Sequence, residues 1–169
     1  LYPTDTVWGI GCDATNAEAV EKIYRLKRSE NKKSMLVLAE DADHAAQYTA
    51  NVPDIAWDLM EVDDKPLTLI LPGAHGVAAN LIPEEGTLGV RVPKHEFCNY
   101  LLHRFGKPIV STSANITGGK AAARLKEVSP EIRSGVDYVV DERFEGHPTF
   151  QPSSIIMIDS DAGVKIIRP

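Results

Sequence analysis

The chain opens with residues 1–14, LYPTDTVWGIGCDA. An extended segment passes two threonines, an aspartate and a proline, and then runs through Gly9 and Gly11 towards the start of a helix. Glycine lets a backbone come close to another group, and binding residues concentrate on loops of this kind. Two interpretations are therefore open: the backbone approaches a ligand here, or the stretch is a buried strand followed by a tight turn.

The composition is typical of one globular domain. The chain has 169 residues, of which 43% are hydrophobic and 25% charged, so it is long enough to bury a substantial core. We predict a single domain over residues 1–169. The sequence begins without a methionine in what looks like the end of a strand, so we expect a further strand or helix before Leu1. Since no apolar run approaches the roughly 18–20 residues of a membrane span, no membrane partner is expected.

Charge, cysteines and histidines argue against several classes of protein. The net charge of −6 argues against a general polyanion binder, although residues 25–28 and 32–33 form a basic cluster that is either a solvated helix end or a local patch for anions. Cys12 and Cys98 form no CxxC pair, which favours a reducing cytoplasm. The five histidines lack ligand-like spacing, so we expect no metal site made by protein ligands.

Helical and extended hydrophobic patterns alternate along the chain. The predicted helices cover residues 16–28, 41–49, a stretch beginning at 53, 96–105 and 125–135. The predicted strands cover residues 34–39, 65–72, 88–93, 108–112, 138–140, 152–158 and 164–168. Residues 73–85 are a predicted loop with one helical turn, and residues 142–151 a polar, mobile loop. The alternation indicates an α/β protein with a twisted, mixed, open sheet flanked by helices.

Three predicted helices carry apolar stripes. In the first, Thr15 and Glu18 match a capping box. Its predicted inward face consists of Val20, Ile23, Tyr24 and Lys27. The two later stripes consist of Ile55, Leu59 and Val62, and of Phe97, Tyr100, Leu101 and Phe105. Spacings of three and four residues place each set on one helical face, and we predict that these faces are buried.

Cations stand at two positions where an anion could bind. Lys27 and Arg28 lie at the C-terminal end of the first helix, where either the helix dipole or a ligand phosphate accounts for them. Arg91 lies within an apolar strand, and a buried guanidinium requires a partner. That partner is either a carboxylate of the fold or the carboxylate of a ligand.

Glycines and hydroxyls offer two candidate binding loops. Residues 113–119, SANITGG, follow a predicted buried strand, which is where ligands bind in open α/β sheets. Gly9, Gly11 and Ala14 fit the dinucleotide fingerprint, but no acidic residue ends a second strand about 20 residues later, as that motif requires. There is neither a P-loop motif nor a G-x-S-x-G elbow. A dinucleotide site therefore remains a minor alternative.

Three segments in combination resemble the YrdC/TsaC family, in its short single-domain form. They are residues 2–9 (YPTDTVWG), 91–93 (RVP) and 111–115 (STSAN). Supporting matches are residues 66–68 (PLT), 152–154 (PSS) and 167–169 (IRP). The resemblance covers essentially the whole chain. It implies that family's twisted α/β sheet with a large concave ligand cleft.

The resemblance also implies an activity. Family members of this type are threonylcarbamoyl-AMP synthases, nucleotidyltransferases that convert L-threonine, bicarbonate or CO2, and ATP into threonylcarbamoyl-adenylate and pyrophosphate. The product serves the t6A modification of tRNA position 37, which implies downstream threonylcarbamoyl-transfer proteins as partners. Mg²⁺ is expected to bridge the ATP phosphates. Such chemistry requires positioning and charge stabilisation more than covalent help.

Site residues are carried over from the family by position. The resemblance assigns threonine binding to Thr4, Arg91 and Ser153, with Arg91 on the carboxylate. It assigns ATP binding to Lys27, Thr68, Ser111, Ser113, Asn115 and Arg168. The implied catalytic cations are Lys27, Arg28 and Arg91.

One departure from the family pattern concerns the phosphate site. The family usually has Lys-x-Arg at the end of the first long helix and a second lysine four residues after the arginine. Here Lys27 and Arg28 are followed by Ser29, with Lys33 at the position of the second lysine. If Arg28 turns towards the phosphates the site is retained. Otherwise the loss of a charge-assisted contact weakens binding by roughly 1.5–3 kcal/mol.

Two alternatives to the synthase remain open. The first is a divergent paralogue without synthase activity, which Ser29 favours and the intact residues 113–115 (SAN) oppose. The second is an RNA-binding module for tRNA or double-stranded RNA, since members of this fold have been associated with both. The net charge of −6 opposes it, because phosphate contacts dominate binding to nucleic acids.

Overall fold

The computed structural model describes residues 1–29, 35–50, 52–61 and 65–169. The strands of the described residues are β1 (Gly9–Ile10), β2 (Leu36–Leu38), β3 (Leu67–Pro72), β4 (Thr87–Arg91), β5 (Ile109–Ser113), β6 (Ser154–Ile158) and β7 (Val164–Arg168). The α-helices are α1 (Ala17–Leu26), α2 (Ala42–Ala46), α3 (Asp54–Glu61), α4 (Glu96–Phe105) and α5 (Pro130–Gly135). In residues 73–85 a single 3₁₀ turn, Ala79–Leu81, interrupts the loop as predicted.

The strands form one mixed sheet in the order β1-β5-β2-β4-β3-β6-β7. β2 pairs with β4, and β3 with β6, in parallel, and the other neighbours are antiparallel. The predicted α/β class with a mixed sheet is confirmed. β1 is a two-residue edge strand in which Gly9 pairs with Ser113 of β5. A dinucleotide fold instead begins on an inner parallel strand, so the fingerprint alternative is wrong.

The first helix is placed as predicted but capped by a different residue. Asn16 is the N-cap, and its side chain accepts hydrogen bonds from the backbone N–H groups of Glu18 and Ala19, both at 3.1 Å. The Thr15 hydroxyl instead donates to Asp13 at 2.6 Å, so the predicted capping box is wrong. The predicted inward face is confirmed, since its four members are all buried: Val20, Ile23, Tyr24 and Lys27.

The buried faces of α3 and α4 are rotated from the predicted ones. Ala56 and Met60 are buried in α3, whereas Ile55 is 41% exposed. Cys98 and Leu102 are buried in α4, whereas Tyr100 is 65% exposed. Three of the predicted residues are half-buried, Leu59, Phe97 and Leu101; Phe105 is 42% exposed, and Val62 lies outside the described residues. Each inner face combines one small side chain, Ala56 or Cys98, with one large one, Met60 or Leu102, and a pattern of large residues alone missed this.

Two other predicted elements differ in the structure. Residues 138–140 form no strand, although the backbones of Leu1 and Tyr138 lie side by side, with the Leu1 amino group 2.9 Å from the Tyr138 carbonyl. The predicted helix over 125–135 is divided into a 3₁₀ turn, Leu125–Glu127, and α5. The reason is Pro130, which lacks an N–H and suits the first position of a helix, where the Ser129 hydroxyl caps it.

The buried core includes Trp8, Leu38, Leu69 and Leu102 and connects the sheet with the helices. Within the described residues, no helix has the length and apolar character needed to cross a membrane.

Candidate functional site

A cavity of about 170 Å³ opens beside the strand ends and contains most of the predicted site residues. The opening stretch contributes Thr4, Thr6, Val7 and Gly9 to its lining. Strand ends and their neighbours contribute Leu36, Arg91, Ser111, Thr112, Ser113, Pro152, Ser153, Ile155 and Arg168, and the loop after β5 contributes Ala121. Six predicted residues thus line one cleft: Thr4, Arg91, Ser111, Ser113, Ser153 and Arg168.

The opening stretch satisfies both interpretations of its sequence. Residues 1–10 are all buried, yet several of them form a wall of the cleft. The Thr4 hydroxyl donates to the Val7 carbonyl at 2.7 Å and accepts from the Thr6 N–H at 3.1 Å, which folds residues 4–7 into a tight turn. Gly11 serves packing, because a Cβ there would collide with the carbonyl of Val110.

Arg91 has a partner within the fold. Its guanidinium forms an ion pair with Asp5 and donates to the Thr6 hydroxyl at 3.0 Å. Both charged side chains are almost completely buried. The Arg91 Nε is buried without a hydrogen-bond partner among the described residues. The fixed carboxylate therefore orients a guanidinium that still lines the cleft.

Arg168 brings a second guanidinium to the same cleft. Its Nε and one terminal nitrogen donate to the Ser153 carbonyl at 2.9 and 2.6 Å. Burial, and then the nearby charge of Arg91, lower the pKa of Arg168. Two cations that repel each other across a cleft favour an anionic ligand between them. The Ser153 hydroxyl lies 2.7 Å from that of Thr68, so Thr68 stands behind the lining as a support for Ser153.

Lys27 braces the loop that follows β5. Its Nζ donates to the carbonyls of Ser113 and Asn115 at 2.5 and 2.8 Å, and its own carbonyl accepts from the Thr117 N–H. Burial lowers the pKa of the Lys27 ammonium to about 8. The Asn115 amide closes the loop by donating to the carbonyls of Ile116 and Gly119, both at 2.8 Å. Lys27 and Asn115 thus shape the loop next to the cleft.

Arg28 is not brought into the cleft. It has a left-handed backbone with φ of 52°, and its guanidinium pairs with Glu131 at 2.6 Å on the exposed surface. The Ser29 hydroxyl instead lies 2.8 Å from that of Thr117 on the braced loop. Lys33 and Lys32 lie outside the described residues. In the described part of the basic cluster, Arg25 also pairs with a carboxylate, that of Glu21.

Sequence reasoning missed three contributors to the site. Asp5 and Thr6 lie in the quoted opening stretch, and the only signal for Asp5 was that the buried Arg91 requires a carboxylate partner somewhere in the chain. Glu145 gave no signal, because it lies in a polar stretch predicted to be a mobile loop. Its carboxylate accepts from the Trp8 indole, the Leu125 N–H and Arg124 at 2.8, 2.6 and 3.0 Å. Burial alone would raise the pKa of Glu145, but these hydrogen bonds outweigh it and hold the pKa below its usual range.

A family model described as Sua5_yciO_yrdC, telomere recombination, matches residues 1–169. The chain belongs to the Sua5/YciO/YrdC family. The resemblance of its sequence to the YrdC/TsaC family is thereby confirmed.

Two relatives and one solved structure illustrate the similarity. The threonylcarbamoyl-AMP synthase of Idiomarina loihiensis is 36% identical over 148 residues, which make up 86% of this chain and 80% of the relative. The enzyme of that name from Pseudoalteromonas translucida is 33% identical over 158 residues, 92% of this chain and 83% of the relative. The crystal structure of P. abyssi Sua5 complexed with L-threonine is 25% identical with a TM-score of 0.88, and the match covers 99% of this chain and 48% of that one. The chain therefore spans about half the length of that Sua5 protein.

Proposed function

We propose that this protein is a threonylcarbamoyl-AMP synthase, a nucleotidyltransferase that uses L-threonine and ATP. Relatives with that name match most of the chain at 33% and 36% identity. The observation that carries the proposal is the cleft itself, in which two guanidinium groups, Arg91 and Arg168, face the hydroxyl-bearing residues Thr4 and Ser153. Cations beside hydroxyls suit an amino acid carboxylate and a polyphosphate in one place.

Threonine is proposed to bind between Thr4, Ser153 and Arg91. One terminal nitrogen of Arg91 is already paired with Asp5. Arg91 is therefore proposed to attract the threonine carboxylate chiefly through its positive charge, which the pairing holds in a fixed position. P. abyssi Sua5 binds L-threonine, which supports an amino acid site in this fold. The Thr68 hydroxyl holds Ser153 in place for that contact.

ATP is proposed to bind along Ser111 and Ser113, with Arg168 near the phosphates and with Lys27, Thr68 and Asn115 as supports. The described residues contain no cluster of three potential metal-ligating side chains. Asp5, the acidic residue beside the cleft, is committed to Arg91. This donor set does not fit a resident metal, but it fits Mg²⁺ that arrives with ATP, because Mg²⁺ is commonly bound through substrate phosphates.

The proposed reaction joins two anions. The threonine amine adds to CO2 and gives a carbamate, whose oxygen attacks the α-phosphorus of ATP, and pyrophosphate leaves. Arg91 and Arg168 offset the repulsion between carboxylate and phosphates, and the buried walls hold both reactants in line. The product is an activated carbamoyl donor. We propose that downstream transfer proteins use it for t6A at tRNA position 37 in the cytoplasm.

The experiment is an incubation with ATP, Mg²⁺, L-threonine and bicarbonate, followed by mass spectrometry of the nucleotides. The proposal expects threonylcarbamoyl-AMP only when all the substrates are present, and less of it from Ser153→Ala. AMP formed without threonine, or no adenylate from a protein that still binds threonine, would overturn it.

A divergent paralogue remains the second candidate, because of one specific observation. The exposed Arg28 pairs with Glu131, and Ser29 contacts the braced loop through its hydroxyl, so neither places a cation at the cleft. Tight binding of threonine and ATP without formation of an adenylate would favour this candidate. For the RNA-binding module no described contact offers support.

A further inference from the structure

Glu145 is tied to parts of the chain far from it in sequence. One carboxylate oxygen accepts from both the Trp8 indole and the Leu125 N–H, and the other accepts from Arg124. The Glu145 side chain is only 13% exposed. In addition, its backbone carbonyl lies 3.2 Å from the His95 Nε2. A buried carboxylate with three donors fixes its segment firmly.

The segment that begins at Glu145 is attached at three points spaced four residues apart. Glu145 is bound to Trp8, as described. The Thr149 N–H donates to the Asp5 carbonyl at 2.8 Å. The Ser153 hydroxyl meets that of Thr68 at 2.7 Å. Residues 145–153, which we call the strap, therefore run along the opening stretch and end inside the cleft.

The strap holds the opening stretch at residues that do not line the cavity. Asp5 and Trp8 bind the strap and are absent from the lining, whereas Thr4, Thr6 and Val7 line it. Trp8 is 1% exposed and its indole N–H donates to Glu145, so removal of Glu145 takes the acceptor from a buried donor. The hydrogen bonds that join the strap to Asp5 and Trp8 therefore hold Thr4, Thr6 and Val7, which lie between or beside them, in position at the cleft.

We propose that Glu145 is a positioning residue for the amino acid half of the site. Through the strap it holds Ser153 in position, and through Trp8 it holds the tight turn of residues 4–7. The nucleotide half depends on the strap less, since Lys27 separately braces the loop of Ser113 and Asn115. It contacts the strap side at the backbone carbonyls of Trp8 and Ser153. Loss of Glu145 therefore weakens the binding of threonine more than that of ATP. Naming threonine rests on the proposed function.

The test compares Glu145→Ala and Glu145→Gln with Glu142→Gln, an exposed glutamate of the neighbouring 3₁₀ turn, as the matched control. Threonine and ATP binding are measured separately by calorimetry, and KM and kcat are measured for both substrates. Glu145→Ala is expected to raise the Kd and KM for threonine by about tenfold, the size of one lost positioned contact. Its kcat stays within about twofold of the parent's, and its Kd for ATP rises clearly less than its Kd for threonine.

The glutamine variant tests the mechanism. Its amide oxygen still accepts from the Trp8 indole and Leu125, but its NH2 group cannot accept from Arg124. It should therefore lie between Glu142→Gln and Glu145→Ala. Trp8→Phe, which deletes the indole N–H, should shift threonine binding in the same direction, and it decides the matter if Glu145→Ala does not fold.

The outcomes separate this inference from the proposed function. Equal threonine affinities in Glu145→Gln, Trp8→Phe and Glu142→Gln would overturn the positioning role while synthase activity persisted. Equal losses of threonine and ATP binding would also overturn it, since they indicate general loosening. If the parent protein makes no adenylate but its Glu145 and Trp8 variants bind threonine more weakly than it does, the result would support the role of the strap and reject the synthase.

Discussion

Asp5 and Arg91 form an ion pair buried in the wall of the cleft, although 86 residues separate them in sequence. The Asp5 carboxylate also accepts from the Lys94 N–H at 3.3 Å. This pairing joins the opening stretch to the end of β4. Through it, Asp5 orients Arg91, the cation that we propose to bind the threonine carboxylate.

Replacing Asp5 by asparagine is predicted to destabilise the protein strongly. The substitution keeps the shape but leaves the Arg91 guanidinium buried without a counter-charge, which costs about 3–5 kcal/mol when one partner of a buried pair is removed. Urea unfolding followed by circular dichroism measures the loss. Asp58→Asn on the exposed side of α3 is the control. A change as small as the control's would mean that water reaches the pair.

Removing the Ser153 hydroxyl is predicted to affect threonine more than stability. Ser153→Ala deletes the contact with Thr68 and a proposed substrate contact, and the KM for threonine should rise by about tenfold. Steady-state kinetics with threonine varied at saturating ATP measures this. Ser154→Ala, at the first residue of β6, should behave like the parent protein. If both variants show the same KM, the hydroxyl of Ser153 takes no part in threonine binding.

ATP binding is predicted to weaken at alkaline pH. Burial lowers the pKa of Lys27 to about 8, so the charge that supports the loop beside the phosphates is lost above that pH. We expect the Kd for ATP to rise several-fold between about pH 7 and about pH 9, measured by calorimetry without threonine. Lys27→Met should bind ATP weakly at every pH and show a flat profile.

A loss of ATP affinity at alkaline pH would not be due to unfolding caused by deprotonation of Lys27. The pKa of Lys27 is about 8 in the folded protein and 10.5 for an ordinary lysine, so the unfolded chain holds more protons between these values. The free energy of unfolding contributed by Lys27 therefore rises with pH across that window. An ATP affinity in the parent that does not change with pH would show that the Lys27 charge is not used.

The parts of the site that could be predicted are those marked by a pattern within one short segment of the sequence. Ser113 opens a hydroxyl-rich loop after a buried apolar strand and was predicted to lie at a binding site for that reason, whereas Ser111 was assigned by the resemblance to the family. The structure places both in the cleft. The α/β class followed from the alternation of helical and extended hydrophobic patterns. The antiparallel pairing of β1 with β5 did not, because the glycine pattern of residues 9–14 fits both a parallel and an antiparallel first strand. Pairing of distant strands is decided by tertiary contacts.

Glu145 shows why the rest was not predictable. A glutamate in a polar stretch is usually solvated, and nothing in residues 142–151 marks Glu145 rather than Glu142 as the partner of Trp8. The same holds for α4, where Cys98 rather than Tyr100 faces the core because the space between helix and sheet decides which side chains fit. These features depend on contacts between segments 20 or more residues apart, and such contacts have no local pattern.

Introducing an arginine at position 29 is predicted to strengthen ATP binding. Ser29 lies just beyond the end of α1 and contacts Thr117 of the loop that Lys27 braces, so we expect a longer cation there to reach a phosphate. A charge-assisted hydrogen bond of roughly 1.5 kcal/mol corresponds to about tenfold in affinity. Calorimetry of Ser29→Arg with ATP measures the gain. Ser29→Ala, which loses only the hydroxyl contact, should not gain affinity.

The companion variant Arg28→Ala decides which residue serves the phosphates. Because Arg28 pairs with Glu131 on the exposed surface, its removal should change the free energy of unfolding by less than about 1 kcal/mol and leave the Kd for ATP unchanged. Suppose instead that Arg28→Ala binds ATP as weakly as Lys27→Met. Arg28 must then leave Glu131 when ATP binds, and the phosphate site retains two cations despite Ser29. If Ser29→Arg adds nothing in that protein, the serine is a neutral exchange.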